Sequence, residues 1–494
     1  MSQHTVIAAV DLGSNSFRLE IARVLGDQIY PLDTLKETVR LAAGLREDKT
    51  LDEAAQARAL ACLKRFNERL RGLSPEAVRA VGTNTFRVAK NAKAFLSAAE
   101  QALGFPIEVV AGKEEARLIY LGVSHSLPPS SAVRLVVDIG GGSTECIIGE
   151  GYEPKQMESL YMGCVSFSRR FFADGRLSKA AMKAAELAAR AEVQAIAADF
   201  GAAHWQQAVG SSGTVRALAD ICRENGLTDG AITAEALDAI RAMLIEAREV
   251  KKLKLRGLSA DRVAVIAGGF AILAAVFREL GIARMEAASG ALREGILYDM
   301  LGRFHHHDAR ELTVEEFLRR YHVDRHQAER VASTAERLLA GVAACFHLEP
   351  EAAKYLEWAA RLHEIGISIA HSGYHRHSAY ILANADMPGF SRKEQERLAL
   401  LARAHRGSLA KVAPMVSAPE DWLLIGVLRL AVLFNRSRSD LPLPALALEW
   451  RARGFRLRVD RQWLADNPLT EMLLHKEEEE WRSVGVRLDV AGAR

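Results

Sequence analysis

VVDIGGGSTE, Val136 to Glu145, carries an apolar run into an aspartate and then into three successive glycines. The run reads as a buried strand. Glycines directly after it let backbone N–H groups approach an anion that Cβ atoms would hold off. Asp138, at the mouth of the strand, offers an oxygen ligand suited to a hard cation such as Mg²⁺, and Ser143, Thr144 and Glu145 add hydroxyls and a carboxylate. Outward from this stretch the design recurs. In VIAAVDLGSNSF, Val6 to Phe17, Asp11 matches Asp138, Gly13 matches Gly140 and Ser16 matches Ser143. Two strand-Asp-Gly units in one chain predict two related halves closing on one cleft.

Further strings of the same kind flank them. In VRAVGTNTFR the residues Val78 to Val81 read as a strand, Gly82 to Thr85 as a turn, and Arg87 falls in the first turn of a helix. A strand at Ile107 to Val110 leads into a helix with Glu114 and Glu115 in its first turn, where the helix dipole stabilises carboxylates. VGSSGTVRAL, Val209 to Leu218, reads as strand, turn and helix, and Val263 to Phe277 reads the same way with its turn at Gly268 and Gly269; MGCVSFSRRF reads as a turn. In open α/β folds the ligand lies beyond the carboxyl ends of the strands, so these turns would converge. Each functional reading has a plain rival. Glu114, Glu115 and the Ser211 to Thr214 turn could be ordinary caps, Asp11 could satisfy its own turn, and Arg87 could bridge helices.

The chain has 494 residues, 49% hydrophobic and 26% charged, which is the composition of a soluble globular protein with several domains. A net charge of +3 is too small to announce a nucleic-acid binder, so any polyanion site has to come from local clusters. The five cysteines, Cys62, Cys146, Cys164, Cys222 and Cys345, form no CxxC and point to a reducing compartment. Asp11 follows so short an apolar run that a signal peptide has no room, and Val263 to Phe277 is shorter than the roughly 20 residues that cross a bilayer. A cytoplasmic protein is expected, at most peripheral at the inner face of the membrane.

Domain boundaries follow the punctuation. The loop SHSLPPSSA, Ser124 to Ala132, divides a first lobe, 1–124, from a second, 125–303. All but His4, His125 and His204 of the 15 histidines lie from His305 onward, in amphipathic helical sequence that marks a helical domain, 304–440, with His305 to His307 as its connector. Strand-like alternation after Pro442 marks a small α/β domain, 441–494.

The strings VDLGSNSF, GTNTFR, GKEEARL, VVDIGGGSTE, MGCVSF, SGTV and GALREG resemble those of the exopolyphosphatase and guanosine pentaphosphate phosphatase family, within the actin, Hsp70 and sugar-kinase superfamily. The resemblance continues through RLHEIG and HSGYHRHSAYIL. It implies an α/β fold with two ribonuclease H-like, actin-like ATPase lobes, Mg²⁺ dependence with a monovalent cation such as K⁺, and hydrolysis of a terminal phosphoanhydride. It also implies a homodimer. Carried over position by position, the catalytic carboxylate falls on Glu115, with Glu145 and Arg87 beside it, and the metal ligands on Asp138, Asp11 and Glu145. Substrate contacts fall on Ser14, Asn15, Thr83, Gly140, Gly141, Gly142, Ser143, Ser212, Gly213 and Thr214. The chemistry agrees, because cleaving an anhydride builds charge that Mg²⁺, arginine and backbone N–H groups stabilise.

RLHEIGISIAHSGYHRHSAYI also resembles the HD phosphohydrolase fold, but Glu364 follows His363 where that fold has aspartate, and Asn435 stands where its late carboxylate is expected. An HD-like domain with a degenerate metal site is expected. His371, His375, Arg376 and His377, with Arg403, His405 and Arg406, would then form a basic surface for an anionic chain, Arg376 and His377 as substrate contacts; a solvated basic loop is the bland account, as it is for KKLKLR at Lys251 to Arg256. The first functional expectation is a processive exopolyphosphatase acting on inorganic polyphosphate. The alternative is a guanosine pentaphosphate 5′-phosphohydrolase. Gly142, the asparagine-containing turn GTNTFR and the intact HSGYHRHSAYIL lean toward polyphosphate on the family's patterns. A sugar or acetate kinase would need an adenosine pocket, for which only the GGFAI turn offers material, and a silent sensor would have no use for Glu115.

Overall fold

The computed structural model describes residues 6–26, 28–128, 130–304, 308–343, 348, 351–440, 442–451 and 454–493. They form two compact units, Met1–Ala309 and Arg310–Arg494. His305 to His307 and Cys345 lie outside the described residues.

Two sheets on one plan build the first unit. The first contains β1 (Val6–Leu12), β2 (Phe17–Leu25), β3 (Gln28–Glu37), β4 (Val78–Gly82) and β5 (Ile107–Val109), in the order β3-β2-β1-β4-β5. The second contains β6 (Val133–Ile139), β7 (Thr144–Glu150), β8 (Glu153–Leu160), β9 (Gln207–Ser211), β10 (Ile232–Thr233) and β11 (Arg284–Ala287), in the order β10-β11-β9-β6-β7-β8. β1 pairs antiparallel with β2 and parallel with β4, and β6 repeats this with β7 and β9. Read from β8 to β11, the second sheet has the order of the first, with β10 added at its edge. The expected pair of related halves is therefore present. Central β1 and β6 are buried on both faces, which suits their continuous apolar runs.

The helices of this unit are α1 (Glu53–Leu70), α2 (Asn84–Val88), α3 (Ala92–Leu103), α4 (Gly112–Ser126), α5 (Cys164–Phe171), α6 (Lys179–Gln194), α7 (Ala197–Phe200), α8 (Ser212–Glu224), α9 (Ala234–Ala247), α10 (Ile266–Leu280) and α11 (Leu292–Phe304). Caps fix their starts where the sequence supplies them: Asp52 Oδ1 accepts from Ala55 N at 2.7 Å ahead of α1. α4 and α11 bring the two sheets onto one core. Ile7, Ala9 and Val81 of the first sheet and Val136, Ile147 and Val209 of the second pack with Leu118, Ile119, Ile296 and Leu297. The two helices cross without side chains between them, since a Cβ on Gly295 would stand 1.7 Å from Leu118 O and one on Gly122 2.0 Å from Ala291 O. Beside this crossing, buried Arg79 and Arg117 both bond Asp299, and Arg117 Nε donates to Glu114 Oε2 at 2.8 Å. Glu114 is thus tied into a buried ion network, while its neighbour Glu115 faces elsewhere.

Three expectations change. Val263 to Phe277 contains no strand; α10 runs through Gly268 and Gly269, whose added Cβ atoms would lie 2.6 Å from Ser168 N and 2.4 Å from Thr214 Cγ2. These glycines permit close packing of the helix instead of a turn, which removes the GGFAI turn from any ligand pocket. MGCVSFSRRF holds α5, with Phe167 buried, where a turn was expected. β3 was not expected at all: its exposed, charged residues and Pro31 are those of an edge strand, where the periodic signal is weak.

The second unit comprises α12 (Ala309–Arg320), α13 (Arg325–Ala343), α14 (Ala352–Leu362), α15 (Tyr374–Asn384), α16 (Arg392–Ala404), α17 (Pro419–Phe434), α18 (Arg461–Asp466) and α19 (Pro468–Arg482), with a sheet of β12 (Ala447–Arg451), β13 (Gly454–Asp460) and β14 (Arg487–Ala493) in that order. Leu448, Phe455, Leu457 and Trp481 belong to the same core as Val331, Leu356 and Leu424. The final sheet is thus layered onto the helices and has no core of its own. Among the described residues no helix is long and apolar enough to cross a membrane.

Candidate active site

The loops Gly13 to Ser16, between β1 and β2, and Gly140 to Ser143, between β6 and β7, carry the two strand-Asp-Gly units to one place. A Cβ added to Gly141 would stand 3.0 Å from Ser14 Cβ and 3.2 Å from Asn15 N, and one on Gly163 would stand 2.3 Å from Gly142 N. Only glycine lets these strands of backbone meet. Asp11, Ser14, Asn15, Thr83, Glu115, Asp138, Gly140, Gly141, Gly142, Ser143, Ser212 and Gly213, all expected from the sequence, line the resulting cavity. Ser212, with φ 85°, holds left-handed backbone without being glycine, and its Oγ accepts from Thr214 N at 3.2 Å and Val215 N at 3.3 Å. Strain of this kind persists only where neighbours fix it, and it concentrates at functional sites.

Glu115 sits in the first turn of α4. Arg87 Nη1, from α2, donates to Glu115 Oε2 at 2.7 Å and to Val110 O at 2.9 Å, so the arginine is engaged with the carboxylate and does not itself line the cavity. Glu145 stands opposite Asp138 in the β6–β7 register, buried behind the cavity wall, and accepts from Ser159 Oγ at 2.8 Å. Thr214 is likewise buried, its Oγ1 donating to Ile139 O at 3.4 Å. Four carboxylates therefore crowd together. Burial, ahead of the nearby charges, pushes the Asp11 carboxyl up to about 7, and burial does the same to Asp138, up to about 6 despite a hydrogen bond from Ser211. Glu145 is raised by burial and then by the charges of Glu115 and Asp138. Such a cluster is suited to a cation. Asn15 Nδ2 and Oδ1 and Ser16 Oγ are buried without a hydrogen-bond partner among the described residues, polar groups left for a ligand to satisfy.

Four arginines lining the cavity, Arg18, Arg216, Arg262 and Arg293, had not been singled out. Two were within reach of the internal repeat. Arg18 faces Asp11 across β1–β2 as Glu145 faces Asp138 across β6–β7, and Arg216 closes SSGTVR as Arg87 closes GTNTFR. Arg293 belongs to GALREG and is held between Glu20 and Glu294. Arg262 comes from a loop with no periodic signal, and its guanidinium packs where a Cβ on Gly213 would be, 1.8 Å from Nη2.

Arg376 and His377 lie on the first turn of α15, in the second unit. There the HD-like positions are otherwise engaged. Glu364 is paired with Arg438, Asn435 Nδ2 donates to Thr334 Oγ1 at 3.0 Å, and His363 Nδ1 bonds Ala360 O at 2.7 Å. No group of three His, Cys, Asp or Glu side chains among the described residues is arranged to hold a metal. Of the basic string at 251–256, Lys251 and Lys252 pair with Glu249.

Comparison with known proteins identifies the family. Residues 20–304 match the model of the Ppx/GppA phosphatase family and residues 309–478 that of Ppx/GppA phosphatase, domain III. A guanosine-5′-triphosphate,3′-diphosphate pyrophosphatase of Pseudoalteromonas translucida (strain TAC 125) is 39% identical over 99% of both chains, and one of Vibrio atlanticus (strain LGP32) is 39% identical over 98% of this chain and 97% of its own. Among solved structures, the PPX-GPPA enzyme of Aquifex aeolicus is 26% identical with a TM-score of 0.50, over 60% of this chain and 99% of its own. An exopolyphosphatase of Cytophaga hutchinsonii, 24% identical with a TM-score of 0.54 over 60% of this chain and 97% of its own, shares the fold. With matching models through both units and relatives aligned end to end, the chain belongs to the Ppx/GppA phosphatase family.

Proposed function

We propose that the chain is a guanosine pentaphosphate 5′-phosphohydrolase: water attacks the terminal 5′-phosphorus, the anhydride to the next phosphate breaks, and orthophosphate and guanosine tetraphosphate are released. That it is a phosphoanhydride hydrolase follows from its family. The observation that carries the substrate is the 39% identity, over nearly the full length of both chains, to two relatives named for that nucleotide. This reverses the order expected from the sequence. Two of the features that leaned toward polyphosphate are one packing contact, since a Cβ on Gly142 would stand 2.5 Å from Asn84 Oδ1 of the GTNTFR turn. A small residue at one position accommodates a larger one at the other, so they do not report separately on substrate.

In this reading Glu115, held by Arg87, takes the proton of the attacking water. The N–H groups of Gly140 to Ser143 and the guanidinium groups of Arg18, Arg216 and Arg262 receive the charge that develops on the transferred phosphate. Asp11 and Asp138 are the side chains that would hold Mg²⁺. Their raised pKa values fit such a role, and the absence of a three-ligand cage among the described residues is compatible with it, because Mg²⁺ beside phosphates usually takes one or two carboxylates and fills its remaining positions with water and phosphate oxygens. The ion, when bound, supplies charge neutralisation at the reacting phosphate.

Polyphosphate remains a second reading for the same chemistry. It is favoured by the second unit, where His375 is pushed down to about 4 by burial and then by Arg403, Arg406, Arg376 and Arg429, a concentration of positive charge. Initial rates on guanosine pentaphosphate, tripolyphosphate and long polyphosphate decide between them. Stoichiometric conversion of the pentaphosphate to tetraphosphate, at the highest kcat/KM of the three, is expected. Phosphate release from polyphosphate with none from the nucleotide would overturn the first reading.

A further inference from the structure

Beside the cleft, on the same unit, lies a second depression of about 470 Å³, and Arg216 lines both. One wall is a face of α8, where Arg216, Asp220 and Arg223 follow one another at helical spacings of four and three. That spacing stacks them along one stripe leading about 10 Å away from the cleft. Facing it are Asp229, with Arg284 and Glu286 of β11. Arg216 Nη1 is steered to the boundary by Ser289 O at 3.0 Å.

We propose that this depression is the subsite for the nucleoside end of the substrate, receiving the ribose, its 3′-diphosphate and the base while the 5′-triphosphate occupies the cleft. The proposal rests on the reading of the chain as a guanosine pentaphosphate hydrolase and assigns the residues that would confer that specificity. Continuity is the first reason. A substrate whose last phosphate is at Glu115 has to leave the cleft with whatever else it carries, and Arg216 is where cleft and depression meet. Size is the second, for the volume lies in the range of small-molecule sites and exceeds what a single phosphate needs.

Charge is the third reason and separates the two substrates. Arg216, Arg223 and Arg284 are balanced by Asp220, Asp229 and Glu286. A polyphosphate, anionic along its whole length, would meet three carboxylates there. A guanosine 3′-diphosphate presents both kinds of partner, phosphate oxygens for the arginines and the ring N–H and amino donors of guanine for the carboxylates. The existing pairs, Arg223 to Asp220 at 2.6 Å and Arg284 to Asp229 at 3.2 Å, are solvent-exposed, and exposed pairs of this type cost little to exchange for a ligand.

Arg284→Ala and Asp229→Asn test the assignment, both far enough out on the surface to leave folding intact, which an unchanged melting temperature checks. Loss of binding shared by ground and transition states should raise KM for guanosine pentaphosphate about tenfold with kcat nearly unchanged, while kcat/KM for tripolyphosphate stays within about twofold. Guanosine tetraphosphate should inhibit tripolyphosphate hydrolysis by the parent enzyme and do so about tenfold more weakly in Arg284→Ala, with inhibition by orthophosphate unaltered. Parallel losses on both substrates, or an unmoved KM for the pentaphosphate in both variants, would overturn the subsite alone. A parent enzyme that releases no phosphate from guanosine pentaphosphate would overturn the functional reading itself.

Discussion

Arg87 spans Val110 O and Glu115 Oε2, so it fixes one oxygen of a carboxylate that lines the cavity. Glu115→Gln keeps the shape and removes the proposed base, and kcat should fall about 100-fold or more with KM largely kept. Near-normal turnover would move the base to another residue, Glu145 first. Arg87→Met should lower kcat about tenfold through a misaligned Glu115, with a smaller change in KM. A mainly KM effect would instead make Arg87 a substrate contact. Asp11 and Asp138 yield a prediction in pH. Their carboxyls are raised from 3.8 to about 7 and about 6, so the folded chain keeps protons that the unfolded chain has released, and their contribution to stability declines as pH climbs through that interval. Without metal the melting temperature should be lower at about pH 8 than at about pH 5.5, and Mg²⁺ should raise it more at the higher pH, where it meets two ionised ligands. A melting temperature at about pH 8 that ignores Mg²⁺ would remove both residues from the cation site.

At the scale of elements, the α4–α11 crossing decides where Glu115 stands. Gly295→Ala would drive a methyl to 1.7 Å from Leu118 O, and the helices would have to part. A loss of about 1–3 kcal/mol is expected in urea unfolding, because overpacking a close contact displaces backbone. An unchanged midpoint would mean that the crossing yields freely. The elements also show what could be read from the chain alone. Strands ending in Asp-x-Gly and the Glu-Glu helix start were legible because their signal is local: the glycines and carboxylates that come to line the cavity stand within a few residues of the strand or helix that places them. Gly268 and Gly269 look the same on paper as a turn, and only Ser168 and Thr214, distant in sequence, make them the inside of a helix. β3 and the loop that delivers Arg262 escaped for a different reason, since neither bears a period that burial would impose. Arg18 and Arg216 were readable through the internal repeat, provided the comparison was extended past the glycines to the partner strand and the following helix.

For the whole molecule, the cores divide cleanly: every residue of the core of the second unit lies beyond 310, and those around the cleft lie before it. A 1–309 fragment should therefore fold and retain turnover of tripolyphosphate, while losing affinity for long polyphosphate if the arginines around His375 serve that chain. Full affinity for long chains in the fragment would discard that role. Within the first unit the opposite holds. Ile7, Ala9 and Val81 from one sheet and Val136, Ile147 and Val209 from the other are covered by the same pair of helices. Either half alone would leave an oily inner surface in water, and the natural remedy for it is a twin. The halves are twins in plan and unlike at the cavity, for the position opposite the aspartate is Arg18 in one and Glu145 in the other.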